Sequence, residues 1–184
     1  MTEIPATEMS PLPKRSRGPR HVIVMGISGG GKTTLAMMLA GKLGYVFAEG
    51  DEFHSQANRD KMHAGIPLDD DDRAPWLQSI QDWMTAEARA GRSTVVTCSA
   101  LKKRYRDVLC AAEGSTVFVH MAPPVDLTAA RLQTRQGHYM PASLLDSQVA
   151  TLEELEDDEV GFKVTSTGTP PEVLAEVLAE LKDY

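Results

Sequence analysis

Residues 26–33 read Gly-Ile-Ser-Gly-Gly-Gly-Lys-Thr and match the phosphate-binding pattern of a Gly, four residues and then Gly-Lys-Ser/Thr. In such a loop, glycines let successive backbone N–H groups point at phosphate oxygens. The Lys reaches the β- and γ-phosphates, and the Ser/Thr hydroxyl ligates Mg²⁺. We call residues 26–33 the P-loop. The segment predicts a nucleotide triphosphate site whose binding residues are Gly26, Ile27, Ser28, Gly29, Gly30, Gly31, Lys32, Thr33 and Thr34, with Thr33 as the metal ligand.

The flanking residues have the character that this loop requires. Residues 21–26 are apolar and β-branched, as in a buried parallel strand, and residues 32–43 are helical in character. A helix that begins at the loop offers its positive N-terminal end to an anion. A flexible Gly-rich turn is the alternative, and the order strand, loop, helix disfavours it.

Further strands and helices alternate along the chain, which predicts parallel βαβ units and an α/β fold with helices on both faces of a sheet. We expect strands near 45–49, 93–98, 116–121 and 162–165, and helices near 55–64, 73–90, 101–111, 123–135, 142–155 and 170–181. Residues 169–172 read Thr-Pro-Pro-Glu, a capping box for the last helix.

The bulk properties exclude several classes of protein. A net charge of −7 argues against a nucleic-acid-binding surface. No apolar run approaches the length of a membrane span, and the two cysteines favour reduced thiols and a cytoplasmic location. Residues 1–19 carry prolines, two Glu and a late basic cluster, so we expect a disordered tail followed by one domain over 20–184. That basic cluster is the only feature favouring a nucleic-acid partner.

In an open parallel sheet, ligands bind beyond the carboxyl ends of the strands. The polar residues there are those of the P-loop, residues 51–54 after the second strand, and residues 99–104 after the third. A carboxylate at Asp51 would orient the attacking hydroxyl or accept its proton, although a turn Asp that caps a helix is the alternative. Residues 69–72 are four consecutive Asp, an acidic turn with a helix cap at Asp72 rather than a Ca²⁺ loop, because the EF-hand spacing is absent.

Several long blocks resemble the gluconokinases, which belong to the P-loop kinases related to shikimate and nucleoside-monophosphate kinases. They are Gly-Asp-Glu-Phe-His at 50–54, Asn-Arg-Asp-Lys-Met at 58–62, the segments 65–77, 98–107 and 131–140, and Leu-Leu-Asp-Ser-Gln-Val-Ala-Thr-Leu-Glu at 144–153. The resemblance covers about residues 21–180. It implies a three-layer αβα fold with a five-stranded parallel sheet in the order 2-3-1-4-5, and a helical lid near 123–150.

The resemblance implies an enzyme, a gluconokinase that uses ATP and Mg²⁺ to phosphorylate D-gluconate at its 6-hydroxyl. The catalytic residues would be Lys32, Asp51, Arg131 and Arg135. The helices near 52–91 would carry most of the substrate contacts, and the substrate-binding residues would be Asp51, His54, Arg59, Arg73, Ser99, Lys102, Arg135 and His138.

Each assignment has an alternative. Arg59 is a candidate for the gluconate carboxylate or a solvated helix charge, and His54 binds a sugar hydroxyl or is structural. The basic residues 102–106 form an anion-attracting wall or a solvated face. Arg131 and Arg135, four apart on a helix, favour a lid over a structural pair because like charges repel there. Residues 165–171 would contact adenine, and the family favours a homodimer.

A kinase for another small acceptor such as shikimate, and a non-catalytic nucleotide-binding module, are the alternative functions.

Overall fold

The computed structural model describes residues 18–134 and 142–184. A five-stranded parallel sheet forms the middle layer, in the order β2-β3-β1-β4-β5, which confirms the expected 2-3-1-4-5 order. The strands are β1 (Arg20–Met25), β2 (Val46–Glu49), β3 (Thr94–Thr97), β4 (Ser115–Met121) and β5 (Gly161–Val164). The helices are α1 (Lys32–Leu43), α2 (Gln56–His63), α3 (Asp70–Arg89), α4 (Lys103–Cys110), α5 (Val125–Thr134), α6 (Ala142–Thr151) and α7 (Pro170–Glu180).

The central strand β1 is buried on both faces, and its side chains alternate between two cores. Val22 and Val24 point into a core shared with α1 and α7. Ile23 and Met25 point into the opposite core, which α3 and α4 complete through Trp76, Ile80, Tyr105 and Leu109. The sheet is therefore covered on both faces, and its ligand-binding edge is left at the carboxyl ends of the strands.

Helix α3 begins earlier than the sequence predicted. Asp69, and not Asp72, is its N-cap: the Asp69 carboxylate accepts from the Asp72 N–H at 2.8 Å, and Asp72 accepts from the Asp69 N–H at 3.1 Å. This reciprocal capping box satisfies two backbone donors at the helix start, so the acidic turn belongs to the helix. The capping box predicted at Thr169 and Glu172 is confirmed.

Within residues 18–134 and 142–184, no helix is both long and apolar enough to cross a membrane. Cys98 is buried and Cys110 exposed, and both are free thiols. The tail expected at 1–19 lies almost wholly outside the described residues.

Candidate active site

The P-loop follows β1 and packs directly against the end of β4. Gly26 has a φ of +135°, and a Cβ added there would lie 2.4 Å from the carbonyl oxygen of Met121. Gly31, at φ +87°, caps the start of α1, so Lys32 is the first residue of that helix. Only glycine fits such a turn without strain. The loop thus has the backbone that an anion site at a helix N-terminus requires.

The two polar side chains that follow the glycines are both engaged. Lys32 Nζ donates to the carbonyl oxygen of Ile27 at 2.8 Å. Thr33 Oγ1 donates to Glu49 Oε2 at 2.8 Å. The other carboxylate oxygen of Glu49 accepts from the Thr97 hydroxyl, which itself accepts from the Gly50 N–H at 3.0 Å. Glu49, the last residue of β2, therefore joins the P-loop to β2 and β3.

Glu49 was missed by the sequence analysis. Its one available signal was an acidic residue at the end of a predicted strand, two positions before Asp51. Carboxylate and hydroxyl oxygens are the hard ligands that Mg²⁺ prefers, so Thr33 and Glu49 together fit part of a magnesium site. Across residues 18–134 and 142–184, no cluster of three or more His, Cys, Asp or Glu side chains could hold a metal ion. A site at Thr33 and Glu49 therefore needs further oxygen ligands, as phosphates or water would supply.

Within residues 18–134 and 142–184, three cavities adjoin the P-loop. The phosphate cavity, about 230 Å³, is lined by P-loop residues with Glu49, Asp51 and Arg131. The outer cavity, about 280 Å³, lies over the start of α7 between Thr34, Arg131, Ser166, Gly168 and Pro170. Its walls include the segment 165–171, to which the family resemblance assigns adenine contacts.

The third, the acceptor cavity, has a volume of about 90 Å³ and lies beyond Asp51, on the side of α2 and α3. Its polar wall is formed by Ser28, Asp51, His54, Arg73, Ser99 and Gln148. Its apolar wall is formed by Met62, Ile66, Pro67, Leu68 and Leu144. Because Ser28, Lys32, Glu49 and Asp51 line both this cavity and the phosphate cavity, the two meet at these four residues.

Gly50 permits the close contact of β2 with β3 that brings Asp51 to this junction. A Cβ at Gly50 would lie 1.8 Å from the carbonyl oxygen of Thr97, so any side chain there would push the strand ends apart. The Gly50 carbonyl oxygen accepts from Trp76 Nε1 at 2.8 Å. Asp51 lies in a short 3-10 helix, Gly50–Phe53, which is thus fixed between β3 and α3.

His54 is a buried, neutral side chain on the wall of the acceptor cavity. Its ring stacks on that of Trp76 with centroids 4.1 Å apart, and its Nδ1 lies 3.2 Å from Asn58 Nδ2. Asn58 Nδ2 also donates to the Asp72 carbonyl oxygen at 2.9 Å, so it is the amide nitrogen and His54 Nδ1 is the acceptor. Burial, with the nearby Arg59 and Arg73 charges, lowers the pKa of His54 to about 4. At neutral pH, Nε2 therefore carries the ring proton and is the donor of this imidazole.

Among the residues that the structure describes, Arg73 is the arginine that lines the acceptor cavity. Its Nη1 donates to the Tyr105 hydroxyl at 3.1 Å, and its guanidinium lies over the Tyr105 ring. The Tyr105 hydroxyl donates to the Asp70 carboxylate, which also pairs with Arg104 and Lys102. Tyr105 of α4 and Asp70 at the start of α3 therefore hold the Arg73 guanidinium in position.

The structure does not bring Arg59 or Lys102 into this wall. Arg59 turns back along its own chain, where Nε donates to the His54 carbonyl oxygen at 3.3 Å and Nη2 to that of Glu52 at 3.0 Å. Lys102 Nζ lies 3.3 Å from the Asp70 carboxylate and over the Tyr105 ring. The Arg59 and Lys102 side chains are therefore paired with carbonyl or carboxylate groups of the protein itself.

The basic residues of α4 do not share one environment, because Arg106 is buried, Lys103 is half-buried and Arg104 is exposed. Arg106 is fully buried, pairs with Glu159, and donates to the backbone carbonyl oxygens of Ala100 and Glu153 at 3.0 Å. Lys103 pairs with Asp158, and Arg104 with Asp70. All three cations therefore pair with carboxylates of the protein, and Arg106 alone among these three is a buried anchor, whereas Arg104 keeps the solvated position that the sequence suggested.

Arg131 lies above the P-loop, where its Nη1 is 3.9 Å from the position of a Cβ on Gly31. It lines both the phosphate cavity and the outer cavity. The role of Arg131 toward phosphates stays a prediction. Arg135 and His138, predicted to act beside it, lie outside the described residues.

Comparison with known proteins places these features in a family. The AAA domain family matches residues 22–155. A gluconokinase from Gluconobacter oxydans (strain 621H) is 49% identical over 160 residues, which are 87% of this chain and 90% of the relative. An unliganded sugar kinase from Janibacter sp. HTCC2649 superposes with a TM-score of 0.85 at 50% identity, over 89% of this chain and 95% of that structure. A gluconokinase structure from Sinorhizobium meliloti 1021 superposes with a TM-score of 0.80 at 40% identity, over 90% and 93%.

Proposed function

The chain belongs to the gluconokinase family of P-loop kinases, and from that premise we propose that it transfers the γ-phosphoryl group of ATP to the 6-hydroxyl of D-gluconate. The product, 6-phospho-D-gluconate, feeds carbohydrate acid metabolism. The observation that carries the proposal is the junction of the phosphate and acceptor cavities at Ser28, Lys32, Glu49 and Asp51. A kinase needs a junction of this kind, because the γ-phosphoryl group and the acceptor hydroxyl must meet in line.

On the phosphate side, the P-loop N–H groups and Lys32 hold the β- and γ-phosphates, and Arg131 covers them from α5. Thr33 and Glu49 supply oxygen ligands for Mg²⁺, which when bound neutralises charge on the two phosphates. The adenosine end occupies the outer cavity, beside Ser166, Gly168 and Pro170.

On the acceptor side, Asp51 orients the 6-hydroxyl and accepts its proton as the oxygen bonds to the γ-phosphorus. His54 Nε2 donates to a neighbouring hydroxyl of the sugar acid, and Ser99 contacts the same chain of hydroxyls. Arg73 pairs with the gluconate carboxylate, because it faces the cavity and a planar guanidinium suits a carboxylate. This assignment replaces Arg59, whose donors are directed at backbone carbonyl oxygens.

The test is the release of ADP, measured with D-gluconate, shikimate and a nucleoside monophosphate as acceptors. We expect turnover with gluconate and the formation of 6-phosphogluconate, identified by ³¹P NMR. Equal turnover of shikimate without any preference for gluconate would contradict the proposed acceptor. Loss of gluconate-dependent ADP release in Lys32→Ala and Asp51→Asn would exclude a merely nucleotide-binding module.

The same proposal includes a cytoplasmic location, in keeping with the two free thiols, and a homodimer, which rests on family resemblance alone. Sedimentation velocity would test the dimer.

A further inference from the structure

Gln148 joins α6 to the P-loop through two hydrogen bonds. The Ser28 N–H donates to Gln148 Oε1 at 2.7 Å, and Gln148 Nε2 donates to Ser28 Oγ at 3.2 Å. A backbone N–H can only donate, so the accepting atom must be the amide oxygen, and the orientation of the amide group is fixed. The two residues are 120 positions apart in the chain. One side chain of α6 therefore pairs with both the backbone N–H and the hydroxyl of Ser28.

Helix α6 is itself anchored near Gln148. Leu145, one turn earlier, is buried against Ile27 of the P-loop and Leu101 of the loop after β3. Just past the end of α6, the Glu153 N–H donates to the Leu101 carbonyl oxygen at 2.7 Å, and the buried Arg106 holds the Glu153 carbonyl oxygen at 3.0 Å. Gln148 is thus presented to Ser28 from a helix whose position is set by the core.

The bonded pair lies where the two reacting groups would meet. Ser28 lines both the phosphate cavity and the acceptor cavity, whereas Gln148 lines the acceptor cavity only. A displacement of Ser28 would therefore move the wall of both cavities at their junction.

We propose that Gln148 is a positioning residue: it holds Ser28 so that a γ-phosphoryl group on the P-loop faces the acceptor hydroxyl instead of water. This inference rests on the proposed kinase function. In the productive step, the acceptor oxygen bonds to the γ-phosphorus, the bond to the bridging oxygen breaks, ADP leaves, and Asp51 takes the hydroxyl proton. In the unproductive step, a water oxygen makes the same attack, and the products are ADP and inorganic phosphate.

The central variant is Gln148→Leu, which preserves side-chain size but removes both hydrogen bonds to Ser28. We expect kcat for gluconate phosphorylation to fall about 30-fold, the effect of losing two partly buried hydrogen bonds near a reacting centre. We expect KM for ATP to change less than about threefold, because the amides and Lys32 that hold the phosphates remain. The fraction of released ADP that appears with inorganic phosphate, and not with phosphogluconate, should rise about tenfold.

The variant Gln148→Glu tests whether the hydrogen bonds of Gln148, and not its packing, position Ser28. In Gln148→Glu, the carboxylate accepts from the Ser28 N–H and from its hydroxyl, so the fraction of ATP lost to water should return toward the parent value. Ser28→Ala loses only the bond to Oγ and should lower kcat about fivefold. In the Gln148→Leu background, Ser28→Ala should have no further effect, since its partner is already gone. Val149→Ala, an exposed neighbour on α6, is the matched control and should behave like the parent.

The inference is overturned if Gln148→Leu loses phosphorylation and hydrolysis in parallel, or if Gln148→Glu restores nothing while its thermal unfolding matches that of the parent. Additive effects of Gln148→Leu and Ser28→Ala on kcat would equally overturn it. Failure of the proposed function looks different: the parent itself would then leave gluconate unphosphorylated.

Discussion

The phosphate side and the acceptor side of the site are built in different ways. One continuous segment, the P-loop with the first turn of α1, provides most of the phosphate side, and much of its chemistry comes from the backbone. The acceptor side is assembled from side chains of separate segments: Asp51 and His54, the loop before α3, Arg73 and Trp76, Ser99, and Gln148. The phosphate side depends on the spacing of neighbouring residues in the sequence. The acceptor side depends on how α2, α3 and α6 pack on the sheet, so we expect it to determine substrate specificity.

If this division is right, damage to the phosphate side should abolish every reaction of ATP. Lys32→Ala should lower ADP release about 10³-fold both with and without gluconate, because a charge that stabilises the transferring group serves either nucleophile. Steady-state ADP release measures both activities. Lys42→Ala, at the exposed end of the same helix, is the control. Retention of gluconate-independent hydrolysis in Lys32→Ala would break the comparison.

The acceptor side holds a buried titratable group that should make stability depend on pH. The pKa of His54 is lowered to about 4 by burial, so the unfolded state, with a pKa near 6.5, binds the proton more tightly. Stability is therefore complete above pH 6.5 and is lost as the pH falls toward 4, by about 3 kcal/mol for this residue.

Urea unfolding at pH 7.5 and pH 4.5 would measure that loss. Burial also lowers the pKa of His21 and His120, so those two contribute to the same trend. The contribution of His54 is the difference between the parent and His54→Asn. An identical pH dependence in the two proteins would contradict the buried, neutral assignment.

Asp51 stands at the junction, and its variant should separate the two sides. Asp51→Asn should lower kcat for gluconate about 10²-fold, since the amide cannot take the hydroxyl proton. Its KM for ATP should stay close to the parent value. Glu52→Gln, the exposed neighbour, is the matched control. A rise in KM for ATP with unchanged kcat would place Asp51 wholly on the phosphate side.

The smallest expected effect on kinetics distinguishes Arg73, which lines the acceptor cavity, from Arg59, which does not. Arg73→Lys should raise KM for gluconate about tenfold, because an ammonium cannot reproduce the paired donors of a guanidinium. Arg59→Lys should change that KM less than about twofold and act on stability instead, through its contacts with backbone carbonyl oxygens. Initial rates over a gluconate series give both values. The reverse pattern would return the carboxylate to Arg59.

The fold and the phosphate side could be predicted to a useful degree from the sequence. The alternation of strands and helices predicted the parallel sheet, and family resemblance supplied its order, which the structure confirms. Helix α1 was predicted at its observed limits, because the P-loop glycines mark its start and Gly44 its end. Helix α3 was placed three residues late, since four consecutive Asp do not reveal which one is the cap.

The sequence by itself determined the phosphate-loop pattern at residues 26–33 between a strand and a helix, and that Asp51 follows the second strand. These features are local: backbone conformation depends on neighbouring residues, so spacing reports it. The tertiary structure decided that Arg73 and not Arg59 faces the acceptor cavity, that Arg106 is a buried anchor, and that Glu49 and Gln148 contact the P-loop. The physical reason is distance along the chain. Contacts between residues tens of positions apart depend on helix packing, which no local spacing encodes.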